Sequence, residues 1–87
     1  MEIKKKLMKR QIGGETFLVP LGKSVYDTNG LFFLTELGGF IWDLLPQVQS
    51  EEEIVKAILE EYDVEQAQAA EDVSAFFGKL RELEIID

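Results

Sequence analysis

Carboxylates are the side chains with the most evident capacity for chemistry in this 87-residue chain, which holds 17 Asp and Glu residues but neither cysteine nor histidine. That composition excludes disulfides, thiol nucleophiles, Cys/His metal sites and imidazole acid–base catalysis. An oxygen-only metal site stays open in principle, but the acidic spacing of an EF-hand and the glycine-rich phosphate-binding patterns are missing. We therefore predict no catalytic residue, no metal site, no cofactor and no enzymatic activity.

The acidic clusters have structural explanations. The glutamates at 51–53 open a predicted helix, where the positive end of the helix dipole favours negative charge. Glu60 and Glu61 flank an apolar stripe on its solvent side. Asp72 lies in the middle of the last predicted helix, and both a surface position and a functional role are open for it.

Residues 31–34 predict a binding surface. The sequence Leu-Phe-Phe-Leu would, as a strand, present large apolar side chains on both faces. A strand of a small domain has one face in the core. The other face, with either Phe32 or Phe33 on it, is therefore the best candidate for contact with a partner.

Charge is distributed unevenly along the chain. Residues 1–14 hold five positive charges against Glu2, a net +4, and the remainder holds four positive and sixteen negative charges, a net −12. Such a body repels nucleic-acid backbones and anionic membranes. The chain also contains no run of ~18 apolar residues that could cross a bilayer and no signal-peptide h-region. We expect one domain over residues 1–87, located in the cytoplasm, with no nucleic-acid or membrane partner.

The first third of the chain predicts three short strands. Residues 6–12 and 15–19 are joined by Gly13-Gly14, a pair suited to a two-residue hairpin turn. Pro20 ends the second strand or places it at an edge. Asn29-Gly30 predicts a turn into the third strand at 31–34.

The remaining residues predict three helices. Thr35 is a candidate cap for the first helix, and Pro46 ends it. Each glycine of the pair Gly38-Gly39 lowers the stability of this helix by roughly 1 kcal/mol relative to alanine. We therefore expect the backbone of another element to approach closely there. The predicted apolar face of this helix is Leu37, Phe40, Ile41 and Leu44, with Trp42 off that face and Phe40 in the core.

Ser50 and Glu53 form a capping-box pattern at the start of the second helix. The third helix is expected over residues 65–83, with Phe77 in the core. Three strands in an antiparallel sheet followed by three helices make an α+β, winged helix-turn-helix-like fold.

Several short motifs follow one another in a fairly specific order and spacing. They are Leu34-Thr35-Glu36-Leu37-Gly38-Gly39-Phe40-Ile41-Trp42-Asp43-Leu44-Leu45, Glu52-Glu53-Ile54-Val55 with Glu61-Tyr62-Asp63-Val64, and Glu71-Asp72-Val73 with Phe76-Phe77 and Leu80. Together they resemble PqqD-like proteins, and the resemblance covers the chain from about residue 13 to residue 86. Two departures from the family pattern are Thr35, where Asn is usual, and Gly39, where Ala is common; Asn and Thr can both cap a helix, so the fold is not put in doubt.

The resemblance implies a recognition element for ribosomally synthesised precursor peptides. Such domains bind the leader segment and present the peptide to a modifying enzyme, often a radical SAM protein. The leader adds as a strand beside the third strand and lies against the third helix. Carried onto this sequence, that mode predicts a groove floored by Phe32 and Leu34, or by Leu31 and Phe33 in the opposite register, with a wall formed by Asp72, Phe76, Lys79, Leu80 and Leu83.

Two other functions compete with peptide recognition. A winged-helix DNA-binding regulator would share the architecture, but residues 65–83 hold four acids against only Lys79 and Arg81, which disfavours phosphate contact. A small structural subunit of an oligomer would use the same strand for self-pairing, so both a monomer and a homodimer are open.

Overall fold

The computed structural model describes residues 1–23 and 32–87. The predicted turn at Asn29-Gly30 and the first residue of the predicted third strand, Leu31, lie outside the described residues. Strand β1 (Leu7–Ile12) and strand β2 (Glu15–Pro20) form the predicted antiparallel hairpin, with Leu7 opposite Pro20 and Ile12 opposite Glu15. Gly13 and Gly14 make its turn with φ of +59° and +85°, a region that glycine enters without steric cost.

Strand β3 (Phe32–Leu34) completes the sheet. It pairs antiparallel with β2, with Leu18 opposite Phe32 and Thr16 opposite Leu34, so the strand order is β1-β2-β3. The three-stranded antiparallel sheet is therefore confirmed, with β2 at its centre. Pro20 is the last residue of this central strand, where its missing N–H is tolerated.

Helix α1 (Glu36–Leu44) begins as expected, because the Thr35 hydroxyl accepts the Gly38 N–H at 3.0 Å. Its buried face differs from the prediction. Ile41 and Trp42 are buried, and Leu37, Phe40 and Leu44 are only half-buried. The helix is rotated so that Trp42 enters the core, and the ring of Phe40 instead packs edge-on against Tyr62, with 5.4 Å between centroids.

A 3-10 turn (Leu45–Gln47) leads from α1 towards helix α2 (Glu51–Glu61). The Ser50 hydroxyl accepts the Glu53 N–H at 3.4 Å, as the capping box predicts. The Glu53 carboxylate reaches back to the N–H of Gln49, at 3.3 Å. Two of the otherwise unpaired donors at this helix start are thereby satisfied.

Helix α3 (Gln66–Glu82) falls within one residue of the predicted bounds at each end. It ends in a left-handed residue, Glu84 with φ of +59°, and the Ile85 N–H closes the helix end by donating to the Leu80 carbonyl at 2.9 Å. The Lys4 N–H donates to the Ile85 carbonyl at 2.7 Å, so the segment before β1 holds the end of α3 against the sheet.

The core lies between the inner face of the sheet and the three helices. The α+β, winged helix-turn-helix-like class predicted from the sequence is confirmed. None of the helices in the described ranges is both long and apolar enough to span a membrane. The largest fully buried side chains are Phe77, Leu18, Ile41, Leu45, Ile54, Ile58, Leu80, Ile85 and Val73.

Candidate functional site

Strand β3 is an edge of the sheet. It pairs with β2 on one side, and no other strand among the described residues pairs with it on the other side. In an antiparallel ladder, residues alternate between those that bond to the neighbouring strand and those whose N–H and C=O point away from it. The outer edge of β3 therefore carries backbone donors and acceptors that a further strand could use.

The two faces of β3 have opposite surroundings. Leu34 is 3% exposed and Phe32 is half-buried, and both face the helices together with Leu18, which is fully buried. Phe33 is 53% exposed and lies on the other side of the sheet. Of the two registers that the sequence leaves open, the structure shows the one with Phe32 and Leu34 on the helix side.

Helix α3 contacts β3 through one aromatic pair and forms a cavity with α1. The ring of Phe76 lies 6.4 Å from the ring of Phe32, centroid to centroid, at an interplanar angle of 56°. Beside this aromatic pair is a cavity of about 420 Å³ between α1 and α3, which we call the cleft. Its lining residues are Thr35, Leu37, Gly38, Ile41, Asp72, Ala75 and Phe76.

Gly38 explains how α3 comes so close to the start of α1. A Cβ at this position would lie 3.3 Å from Cε1 of Phe76 and 3.4 Å from Cδ2 of Leu34. The expectation of another backbone at this pair of glycines is wrong, because side chains fill the space. At Gly39 a Cβ would meet only the Lys9 side chain, at 3.9 Å.

Helix α3 presents two adjacent stripes. The first is buried in the core and consists of Ala69, Val73, Phe77 and Leu80. The second follows the helical spacing of four, three and four residues along the side that lines the cleft, and consists of Asp72, Phe76, Lys79 and Leu83.

The second stripe combines apolar and charged groups. Asp72 is half-buried and accepts a hydrogen bond from the Gln68 side-chain amide at 2.9 Å. Lys79 is exposed, and its ammonium group lies 3.8 Å from the Glu82 carboxylate. That ion pair is solvated at both ends and contributes little to stability. An apolar centre with a carboxylate at one end and an ammonium at the other suits an extended peptide segment.

The predicted site residues are not all brought together at the cleft. Asp72 and Phe76 line it, Phe32 lies beside it against Phe76, and Lys79 and Leu83 continue the same stripe of α3. Leu34 and Leu80 are buried in the core and do not line the cleft. Phe33 faces the opposite side of the sheet, and Leu31 lies outside the described residues.

Sequence reasoning missed several residues of the cleft: Leu37, Ala75 and Ile41, and the roles of Thr35 and Gly38 there. The glycine pair was the available signal, because a glycine inside a helix requires a packing reason. Ala75 carries no such signal, since alanine is the default residue of helices.

A larger cavity of about 610 Å³ lies between α2 and α3, on another side of the molecule. Val55, Leu59, Ala70 and Val73 form its apolar part, and Glu51, Glu52, Lys56 and Gln66 surround them. Leu59 is 37% exposed there. No strand edge adjoins this cavity, so it lacks the backbone groups that distinguish the cleft at β3.

One titratable group near the start of α1 has a shifted pKa. Burial raises the pKa of the Tyr62 hydroxyl, and the negative charge of Glu36 and a hydrogen bond to that carboxylate raise it further, with a smaller contribution from Glu61. Tyr62 at the end of α2 is thereby tied to the first residue of α1, the element that carries the cleft glycine.

The chain is similar to known proteins in both sequence and structure. The chain matches the family model described as coenzyme PQQ synthesis protein D (PqqD) over residues 15–86. It is similar to the solved structure of TbiB1 in complex with the TbiA(beta) leader peptide, with a TM-score of 0.75 and 30% sequence identity over 100% of this chain and 95% of that chain. The comparison with curated proteins found no match.

Proposed function

Because the chain belongs to the PqqD family, we propose that it binds the leader segment of a ribosomally synthesised precursor peptide and presents that peptide to a modifying enzyme. The observation that carries the proposal is the unpaired edge of β3 among the described residues, together with the cleft of about 420 Å³ between α1 and α3. The similarity to TbiB1, which was solved with a leader peptide, supports it.

The leader binds by strand addition. Its backbone pairs with the outward N–H and C=O groups of β3, which supply affinity with little dependence on sequence. Every second leader side chain then points towards the cleft, where Phe32 and Phe76 offer apolar contact. Leu31, adjacent to this edge in sequence, stays a predicted contact.

Charged groups set the preference for particular leaders. Asp72 at the cleft pairs with a basic leader residue, and Lys79, further along the stripe, pairs with an acidic one. Outside residues 1–14 the chain carries a net charge of −12. A leader that carries lysine or arginine is therefore attracted to the protein by long-range electrostatics.

The protein acts as a carrier and has no catalytic role in this proposal. The chain contains no cysteine or histidine, so the chemistry belongs to the modifying enzyme, for which the family resemblance suggests a radical SAM protein. A location in the cytoplasm and a monomeric or homodimeric state complete the proposal.

Isothermal titration with the leader encoded by a neighbouring precursor gene tests binding. We expect a dissociation constant well below 100 μM, a value that corresponds to only about 5.5 kcal/mol. A folded protein that binds no leader at that concentration would contradict the proposal.

Two N-methylated leader peptides test strand addition itself. One peptide is methylated at alternate residues, and the other at the residues between them. Methylation removes edge hydrogen bonds from one set only, because alternate N–H groups point towards and away from β3. We expect one peptide to lose at least tenfold in affinity and the other to lose little. Equal affinities of the two peptides would exclude pairing along β3.

A further inference from the structure

The sheet surface turned away from the helices, here called the outer face, is unusually apolar. The pairing register places seven described residues on it: Met8, Arg10, Ile12, Glu15, Phe17, Val19 and Phe33. Five of the seven are apolar, whereas an antiparallel sheet with one solvated face normally turns polar residues outward. No helix among the described residues covers this face.

The apolar side chains of the outer face form a contiguous surface. Phe33 is 53% exposed, Ile12 52% and Met8 40%. The rings of Phe17 and Phe33 meet edge-on with centroids 5.8 Å apart, so the patch extends across from β2 to β3. Exposed patches of this kind mark contact sites, and phenylalanine, methionine and arginine are enriched at protein–protein interfaces whereas acids are depleted.

Arg10 lies in the middle of this patch. It is exposed, stands opposite Phe17, and makes no hydrogen bond or ion pair with any other described residue. Its neighbour Lys9 points to the helix side and pairs with Asp43 at 2.6 Å. An arginine framed by apolar side chains is suited to bidentate contact with a carboxylate from outside.

We propose that the outer face is the docking surface for the peptide-modifying enzyme, through an enzyme surface that places a carboxylate on Arg10 within an apolar contact. The proposal rests on the function proposed above, because a carrier without catalytic residues must meet its enzyme at a second surface. Phe32 and the cleft lie on one side of the sheet and Phe33 on the other. Leader and enzyme therefore bind at the same time.

A second copy of this chain fits the outer face poorly. Two strands of six residues and one of three, at about 3.4 Å per residue and about 4.8 Å between strands, cover roughly 250 Å², against roughly 800 Å² per partner in a stable complex. Each copy also carries a net charge of −8, which opposes self-association. A larger protein adds contacts beyond the patch and supplies the acid that Arg10 lacks.

The test measures binding of the purified modifying enzyme encoded beside this chain's gene, by biolayer interferometry against immobilised, leader-loaded protein. The variants are Arg10→Glu and Phe33→Ser. Lys56→Glu, an exposed residue on α2, is the matched charge control. We expect each outer-face variant to lose at least tenfold in enzyme affinity, with Lys56→Glu within twofold of the wild type. Circular dichroism confirms that each variant is folded.

A separate leader titration of every variant distinguishes this proposal from the proposed function. Leader affinity is expected to stay within twofold in both outer-face variants. Leader binding without measurable enzyme binding to the wild type, or enzyme affinity unchanged in both variants, overturns the docking surface. Equal losses in Arg10→Glu and Lys56→Glu also overturn it, because they indicate general charge attraction. The two proposals can also separate in the other direction. If the protein binds no leader but binds the enzyme through Arg10 and Phe33, the docking surface is supported and leader recognition is refuted.

Sedimentation velocity adds one further outcome. A wild-type dimer that Arg10→Glu converts to a monomer would assign the outer face to a second copy and overturn docking of the enzyme. We expect wild-type protein and variant to sediment alike as monomers.

Discussion

Phe32 and Phe33 are adjacent, identical residues of one strand, yet the fold gives them opposite environments. Phe32 is half-buried, and its ring meets that of Phe76 beside the cleft. Phe33 is 53% exposed and touches Phe17 on the outer face. The difference arises from the two-residue period of a strand, which turns alternate side chains to opposite faces. A strand of three residues can therefore serve two different contacts at once.

Introducing a charge on the buried side of the strand has the largest expected effect on the free energy of unfolding. Leu34→Asp places a carboxylate in a site that is 3% exposed, and we expect a loss of about 3–5 kcal/mol in unfolding free energy. Phe33→Asp, the matched change on the outer face, is expected to cost no more than about 1 kcal/mol. Urea denaturation followed by tryptophan fluorescence measures both. Similar midpoints for the two variants would mean that the faces are not distinct.

Alanine substitutions of the two phenylalanines compare the faces in leader binding. Phe32→Ala removes the ring that meets Phe76, and we expect at least a tenfold loss in leader affinity, about 1.4 kcal/mol. Phe33→Ala keeps the backbone of β3 and is expected to change leader affinity less than twofold. Titration of both variants with the same leader is the measurement. A larger loss in Phe33→Ala would reverse the assignment of the two faces.

The adjacent glycines of α1 provide a finer test. Gly39→Ala should raise stability by up to about 1 kcal/mol, since the new Cβ makes only an ordinary contact with Lys9 and alanine favours the helix. Gly38→Ala gains the same propensity, but its Cβ lies 3.3 Å from both Phe76 and Thr35. We expect no net gain in stability and a severalfold loss of leader affinity, because Phe76 must move. Equal thermal shifts for the two variants would contradict the tight packing at Gly38.

Alkaline pH is expected to have the smallest effect, confined to the helical side of the sheet. The pKa of Tyr62 is raised in the folded protein by burial and by Glu36. The stability that neutral Tyr62 contributes is therefore complete below the unfolded-state pKa and is lost as pH rises through the folded-state pKa. Tyr62→Phe should remove this alkaline component of the unfolding free energy. A Phe33→Ala variant is expected to keep this alkaline component, and its loss in that variant would place the cause elsewhere.

Local signals in the sequence predicted most of the elements. Gly13-Gly14 specified the hairpin turn, and the Thr35 and Ser50 hydroxyls each accept the predicted backbone N–H. These features depend on residues three or fewer positions apart, so they can be recognised without the fold. Helix α3 was predicted within one residue at each end because its apolar spacing is long and regular.

The packing of one element against another was harder to predict from the sequence. Trp42 is buried and Phe40 is only half-buried, because the rotation of α1 depends on how closely α3 approaches at Gly38. The periodicity of nine residues is compatible with either face. For the same reason Leu80 could not be distinguished from Leu83, although the first is fully buried and the second lies on the cleft stripe.

The sequence by itself determined that this chain is an α+β domain whose third strand has apolar side chains on both faces. It also determined the net negative charge outside residues 1–14 and the lack of cysteine and histidine for catalysis. These properties follow from composition and from patterns within single elements. Only the tertiary structure decided which side of the third strand faces the helices and which side carries the exposed Phe33. The reason is that the facing of each side chain depends on the register in which Phe32 pairs with Leu18 of the neighbouring strand. A shift of one residue would exchange Phe32 and Phe33, and with them the two surfaces.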